Sequence, residues 1–420
     1  MRIRHLIALL VLLVMVSLPS PAQAGGVVTV CDEANLVAAL TGGGTVTFAC
    51  SGTITLTHAK TIAANTTIDG GGQDVIISGN NTTDLFFVNN GVVLNLSHLT
   101  LANGDGFGSP NAAVFNNRGT LNVSDSIFSE NAGGTGVIYN LEGTVNIADS
   151  IFSDNVSSNG IFNIRGTVDI ANTGFMGDTL ASRGRDIYNS HGTVTVSNSA
   201  FANDPVGGTA NGGGIHNFGG TLNVINSTFS GNRAYNGGAI NNENPGAVTV
   251  SNSTFHGNKA TNLGGGICSQ NAGTVVVTNS TFFGNEAAGG GGVVNVGTSL
   301  TFTLKNTIVA NSPAGNNCFG MITDGGRNLS YPDASCPGIN ADPMLGPLQM
   351  NGGPTMTMGL GPGSAAIDAG DDATCAASPV NNLDQRGVSR PVGPHCDIGA
   401  FETIYLTMPV RAWLPIVMAQ

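Results

Sequence analysis

Between Gly220 and Asn285 the chain states one pattern three times. Gly220-Thr221-Leu222-Asn223-Val224, Gly246-Ala247-Val248-Thr249-Val250 and Gly273-Thr274-Val275-Val276-Val277 each open a unit that closes on an Asn-Ser-Thr-Phe core and a final asparagine: Asn226 to Asn232, Asn252 to Asn258 and Asn279 to Asn285. The same opening recurs upstream at Gly119, Gly143, Gly166 and Gly192, with successive starts 24, 23, 26, 28, 26 and 27 residues apart. A self-similar period in the twenties specifies a solenoid, because one such unit cannot bury its apolar face alone. Apolar residues alternate with polar ones within each opening, β-branched types dominate, and Gly, Asn and Ser punctuate every segment. The coils are therefore strands.

A unit of this length holds three short strands and three turns, each strand pairing with its equivalents in the neighbouring coils at roughly 4.8 Å. The expected class is all-β, a single-stranded parallel β-helix with an N-terminal cap and a C-terminal capping module. Parallel crossovers favour the right-handed form. Equivalent side chains then stack in files. Phe128, Phe152, Phe175, Phe201, Phe229, Phe255 and Phe282 are expected to fill the interior, and Asn131, Asn155, Asn232, Asn258 and Asn285 to bond one another at a turn, with breaks at Asp178 and Asp204. Ten or eleven coils would span roughly 50 Å.

The Phe-x-x-Asn cores alternate with Gly212-Gly213-Gly214-Ile215, Gly237-Gly238-Ala239-Ile240, Gly264-Gly265-Gly266-Ile267 and Gly290-Gly291-Gly292-Val293. This ordered pair of motifs resembles the repeats of polymorphic outer-membrane proteins, which implies a bacterial surface β-helix used in adhesion. The membrane barrel that ends those proteins has no counterpart in this sequence. Upstream, Ile68-Asp69-Gly70-Gly71-Gly72 followed by Ile76-Ile77-Ser78-Gly79-Asn80 resembles the opening coils of pectin-lyase-like β-helices.

Arg2, Arg4, the apolar run from Leu6 to Leu18 and the Ala22-Gln23-Ala24 site read as a secretory signal peptide over 1–24. Export suits the cysteines, since Cys31 with Cys50, Cys318 with Cys336 and Cys375 with Cys396 form three locally spaced pairs, leaving Cys268 as a buried small residue. Residues 25–44, with a helix at Asp32 to Leu40, form the N-terminal cap; 45–311 hold the repeats. From 312 to 402 the composition changes. Asn317-Cys318, Asn351-Gly352-Gly353-Pro354, Ile367-Asp368-Ala369-Gly370, Asp384-Gln385-Arg386-Gly387 and Asp397-Ile398-Gly399-Ala400-Phe401-Glu402 resemble, in order, the choice-of-anchor Q domain. That resemblance implies a secreted or cell-surface protein and a module closing the open end of the helix. The tail, 403–420, is too short and too interrupted by Pro409, Arg411 and Pro415 to span a membrane.

Pectin-lyase-like folds host many polysaccharide lyases and hydrolases, so an enzyme is the alternative to adhesion, and the site has to be argued separately. Hydrolases need two carboxylates roughly 5 to 10 Å apart. Asp125 and Asp149 share a repeat position on adjacent coils, but Asn226, Asn252 and Asn279 hold nearby positions in later repeats, which favours a turn ladder. Arg183, beside Arg185 in an irregular loop, is the remaining basic candidate, with a solvated loop as the plainer reading. His191, His216 and His256 fall at scattered repeat positions and read as surface residues. In the C-terminal module Asp368, Asp371, Asp384 and Asp397 form a candidate calcium set, although turns favour aspartate equally. No other cofactor is implied.

The formal net charge of −12 becomes −14 once Arg2 and Arg4 leave with the signal, which disfavours nucleic acid and polyanionic pectin as partners. Only 10% of residues are charged. A surface of Asn, Ser, Thr and Gly suits a neutral glycan or a surface protein, with the chain acting as a monomer.

Overall fold

Six of the seven repeat glycines open a strand or immediately precede one, the seventh, Gly273, lies within the longer strand Ile267–Thr278, and the strands stack in register. The computed structural model describes residues 25–404 except 106–111, 157–158, 178–185 and 203–209. Among the described residues, thirteen short strands stack into one parallel sheet, and a second set of strands merges into a 22-stranded sheet. The merging occurs where Ile267–Thr278 and Val293–Lys305 each run through a corner without a break. The protein is a parallel β-solenoid.

The period of two decides what is inside. In Thr120–Ser124, Leu121 and Val123 are buried while Thr120, Asn122 and Ser124 face outwards, and the register carries the same alternation into Thr144–Ala148 and Thr167–Ala171. On the thirteen-stranded sheet the phenylalanine file is fully buried, with ring centroids 4.4–4.9 Å apart and planes within 2–17° of parallel. The asparagine file forms as expected. Asn232 Nδ2 donates to Asn258 Oδ1 and Asn258 Nδ2 to Asn285 Oδ1, at 3.0 and 2.9 Å, while their second protons reach the carbonyls of Phe201 and Phe229. The breaks expected at Asp178 and Asp204 lie outside the described residues.

A second buried asparagine file stands at another corner. Asn116, Asn140, Asn163, Asn189, Asn217 and Asn242 are all wholly buried. Each of the first five donates Nδ2 to the Oδ1 of the next at 2.8–2.9 Å and to the carbonyl of the repeat glycine three residues on. This explains the glycine. A Cβ on Gly166 would press on Asn140 Nδ2 and lie 2.7 Å from both Asn163 Oδ1 and Gly143 O.

At the N-terminus, α1 (Glu33–Leu40) is capped by Asp32, whose carboxylate accepts from Asn35 N. Gly25–Val28 adds a strand beside Gly44–Phe48, and Cys31–Cys50 ties the cap down. The other two disulfides are Cys318–Cys336 and Cys375–Cys396, the pairing expected from spacing. Cys268 is free and buried, and burial pushes its thiol up to about 12, which removes it from thiolate chemistry.

Stacking continues past Asn311, where the repeats were expected to end. Cys318–Gly320, Leu329–Tyr331 and Ile339–Asn340 extend the two sheets. Beyond them, an antiparallel pair (Leu345–Gln349 with Thr357–Leu360) and the short α2 (Asp372–Ala376) belong to a unit that folds back along the flank of the solenoid. Its reach is wider than a lid over the open end. Thr228 Oγ1 donates to Met356 O, Thr254 Oγ1 to Gln385 Oε1, and Ala400 N to Thr281 Oγ1. Residues 1–24, where a signal peptide is expected, and nearly all of the tail lie outside the described residues. No described helix is long and apolar enough to cross a membrane.

Candidate functional site

The strands Val93–Ser97, Thr120–Ser124, Thr144–Ala148, Thr167–Ala171 and Thr193–Ser197 lie side by side in register, so their outward residues form straight columns. The central column carries a side-chain amide ladder. Asn146 Nδ2 donates to Asn122 Oδ1 and Asn122 Nδ2 to Asn95 Oδ1, both at 2.7 Å, and Asn95 Nδ2 to Thr67 Oγ1 at 2.9 Å. The next coil has Asp169 in this column. There the ladder stops, because Asn146 Oδ1 and the Asp169 carboxylate are both acceptors.

Beside the amides, Ser97, Ser124, Ala148, Ala171 and Ser197 leave a trough. The groove measures about 500 Å³, and Asp169 is the one charged residue among those lining it. Its hydrogen-bonding groups repeat at the coil spacing of roughly 4.8 Å on a rigid sheet. Such an array can bond a neutral polyhydroxylated chain without ordering itself first. It holds no nucleophile–base pair.

At the edge of this face the chain turns through a column of residues with positive φ: His98 (53°), Asp125 (47°), Asp149 (50°), Asn172 (50°), Asn198 (49°), then Asn226, Asn252, Asn279 and Asn306. Asn and Asp tolerate this left-handed conformation better than most residues. The two sequence-derived carboxylates, Asp125 and Asp149, do stand on adjacent coils. Both are exposed, and Asp149 accepts from Asn172 Nδ2 at 3.0 Å. They occupy the same kind of turn, so nothing around them separates an acid from a base.

His98 belongs to this column and escaped the sequence reading. Its signal was present: Asn95-Leu96-Ser97-His98 is in phase with Asn122-Val123-Ser124-Asp125. Its Nδ1 lies 2.8 Å from Asp69 Oδ1, which also accepts from Ser97 Oγ at 2.9 Å. Burial raises the Asp69 carboxyl, but donation from His98, Ser97 and Gly71 outweighs it and leaves the group below its usual range. A second groove of about 390 Å³ includes Asp74, His98, Thr100 and Asp125 in its lining.

His216 corrects the expectation of a surface histidine. It is buried, with Nε2 2.8 Å from Glu243 Oε2, and Gly212 folds over it so closely that a Cβ there would lie 2.9 Å from His216 Cα. Hydrogen bonding from His216 holds the Glu243 carboxyl below its usual range. His191 is exposed and edge-on to Phe218. Arg183 lies outside the described residues.

Three of the four calcium candidates, Asp371, Asp384 and Asp397, have carboxylates put to separate uses, and the fourth, Asp368, meets Asp397 through its backbone amide. Asp371 caps α2 by accepting from Thr374 N at 2.7 Å. Asp384 is buried against Arg386, with Nη2 to Oδ2 at 2.6 Å. Asp397 accepts from the amides of Asp368 and Thr403 at 2.7 and 2.6 Å, and burial raises its carboxyl. Among the described residues, no group of three or more His, Cys, Asp or Glu is arranged to hold a metal ion.

The fold and these two grooves together define a class: a parallel β-solenoid with a polar outward face that carries few charges. No family model matches the chain, and no curated protein matches it. The resemblances to polymorphic outer-membrane repeats and the choice-of-anchor Q domain therefore rest on their motifs alone. Among solved structures, the crystal structure of pectate lyase Pel9A is similar in outline, at 15% identity and a TM-score of 0.45, over 87% of this chain and 90% of that one.

Proposed function

We propose that this is an exported β-helix protein, secreted or held at the cell surface, that binds a neutral glycan or a glycan-bearing surface protein along the Asn95–Asn122–Asn146 face. It acts in adhesion or scaffolding and does not turn its ligand over. The observation that carries this reading is the amide ladder in a groove with a single charge. The acidic net charge supports a neutral ligand, and three disulfides suit an oxidising compartment.

A second reading rests on the His98–Asp69 contact beside Asp125, which supplies an oriented base and a carboxylate to a polysaccharide lyase or glycoside hydrolase. A screen of purified protein on neutral and acidic polysaccharides, scoring both retention and product release, separates the two. Retention of a neutral polysaccharide without products is expected. Product release lost in Asp125→Asn, Asp149→Asn or His98→Ala would establish the enzyme instead.

A further inference from the structure

One outward column of the thirteen-stranded sheet changes character halfway along the molecule. Ile127, Ile151, Gly174, Ala200, Thr228, Thr254, Thr281 and Ile308 are partners in register. From Thr228 to Ile308 the folded-back unit covers it, leaving these four side chains at most 1% exposed. Ile127 and Ile151 are each 40% exposed, and Met176, which reaches to within 3.3 Å of where a Gly174 Cβ would lie, is 43% exposed. The uncovered half of the column is thus the more apolar half, and it continues an interface the protein already makes.

Its borders are acidic. Asp125 and Asp149 stand at the turn before these strands, and Glu130 and Asp154 at the turn after them, all four exposed. No Lys or Arg occurs at 125–131 or 149–156 in the sequence. From Asp125 to Glu130 is at most roughly 16 Å of extended chain. An α-helix about 10–12 Å across fits between such borders, and its apolar positions three and four apart fall about 4.5 to 6 Å apart along its axis, near the ~4.8 Å coil spacing. Lysine or arginine on its flanks would reach both rows of carboxylates.

We infer that Ile127, Ile151 and Met176, bordered by these carboxylates, form a docking surface for a cationic amphipathic helix of a partner protein. A second copy is the wrong occupant on charge, because it would set four carboxylates against four more in a chain of net charge −12. The surface is separate from the amide groove and does not depend on glycan binding.

The test uses the full chain and a fluorescent 14-residue helical peptide of Leu and Lys with the Leu on one face, followed by anisotropy at physiological ionic strength. The expected result is saturable binding, weakened at least tenfold by Ile127→Ser/Ile151→Ser and at least tenfold by Glu130→Gln/Asp154→Asn, with both variants melting as the parent does. Four outcomes overturn it: no binding, equal binding of the same peptide with Glu for Lys, unchanged binding by the Ile127→Ser/Ile151→Ser variant, or a dimer in sedimentation that this variant dissolves.

Discussion

The buried asparagines show how single residues hold a coil to its neighbours. Asn163 accepts from Asn140 and donates to Asn189 and to the Gly166 carbonyl, all without access to water. Asn163→Ala leaves several of these groups unpaired and is expected to cost about 3 kcal/mol, read as a lower urea midpoint, since each buried orphan costs about 1–3 kcal/mol. Phe175→Ala, which removes a ring stacked on both faces, is expected to cost about 3–5 kcal/mol by the same measurement. The phenylalanine file was legible because all seven members share one frame, Asn or Asp, then Ser or Thr, one variable residue and Phe. The Asn116–Asn242 file was not, because its flanking residues vary among Phe, Tyr, Ile, Leu, His, Asn, Ser and Glu and only the following glycine recurs. His98 was missed for a related reason: the coil that carries it lacks the phenylalanine and has Leu101 instead.

At the scale of elements, α1 is attached through Glu33 as well as through Cys31–Cys50. Glu33 accepts from Thr57 N and pairs with Lys60, and hydrogen bonding from Lys60, followed by that from Thr57, brings its carboxyl down from the usual 4.5 to about 2. A lowered carboxyl stabilises the fold fully above about pH 4.5 and loses that contribution as pH falls toward 2. Glu33→Gln should therefore melt below the parent at pH 6, with the gap closing as the pH of the melt falls to 2. The folded-back unit makes its own prediction: Cys375→Ser/Cys396→Ser opens a short loop and should cost roughly 3 kcal/mol, seen as early proteolysis of that unit. Spacing suggested the three cysteine pairs, because each bridges neighbouring chain, and the structure fixes them. That the unit lies along the flank could not be read, because its contacts, such as Gln385 with Thr254, join residues 131 apart with no repeat to align them.

Across the whole molecule, the repeat that builds a single elongated core also lays out its exterior in straight columns, and the two grooves and the apolar column are consequences of that registration. Solenoid class, strand direction and core were open to sequence reasoning because one position becomes a file. Outward function was harder to read, since Asn122 and Asn146 on the open face look like the asparagines that serve turns. The most direct test places bulk in the trough without touching the core: Ala148→Trp, on the outward side of Thr144–Ala148, titrated by calorimetry against the neutral polysaccharide retained in the screen. Binding by the parent and its loss in Ala148→Trp, with both proteins melting alike, is the result expected of a ligand-binding face. Undiminished binding by Ala148→Trp would contradict it.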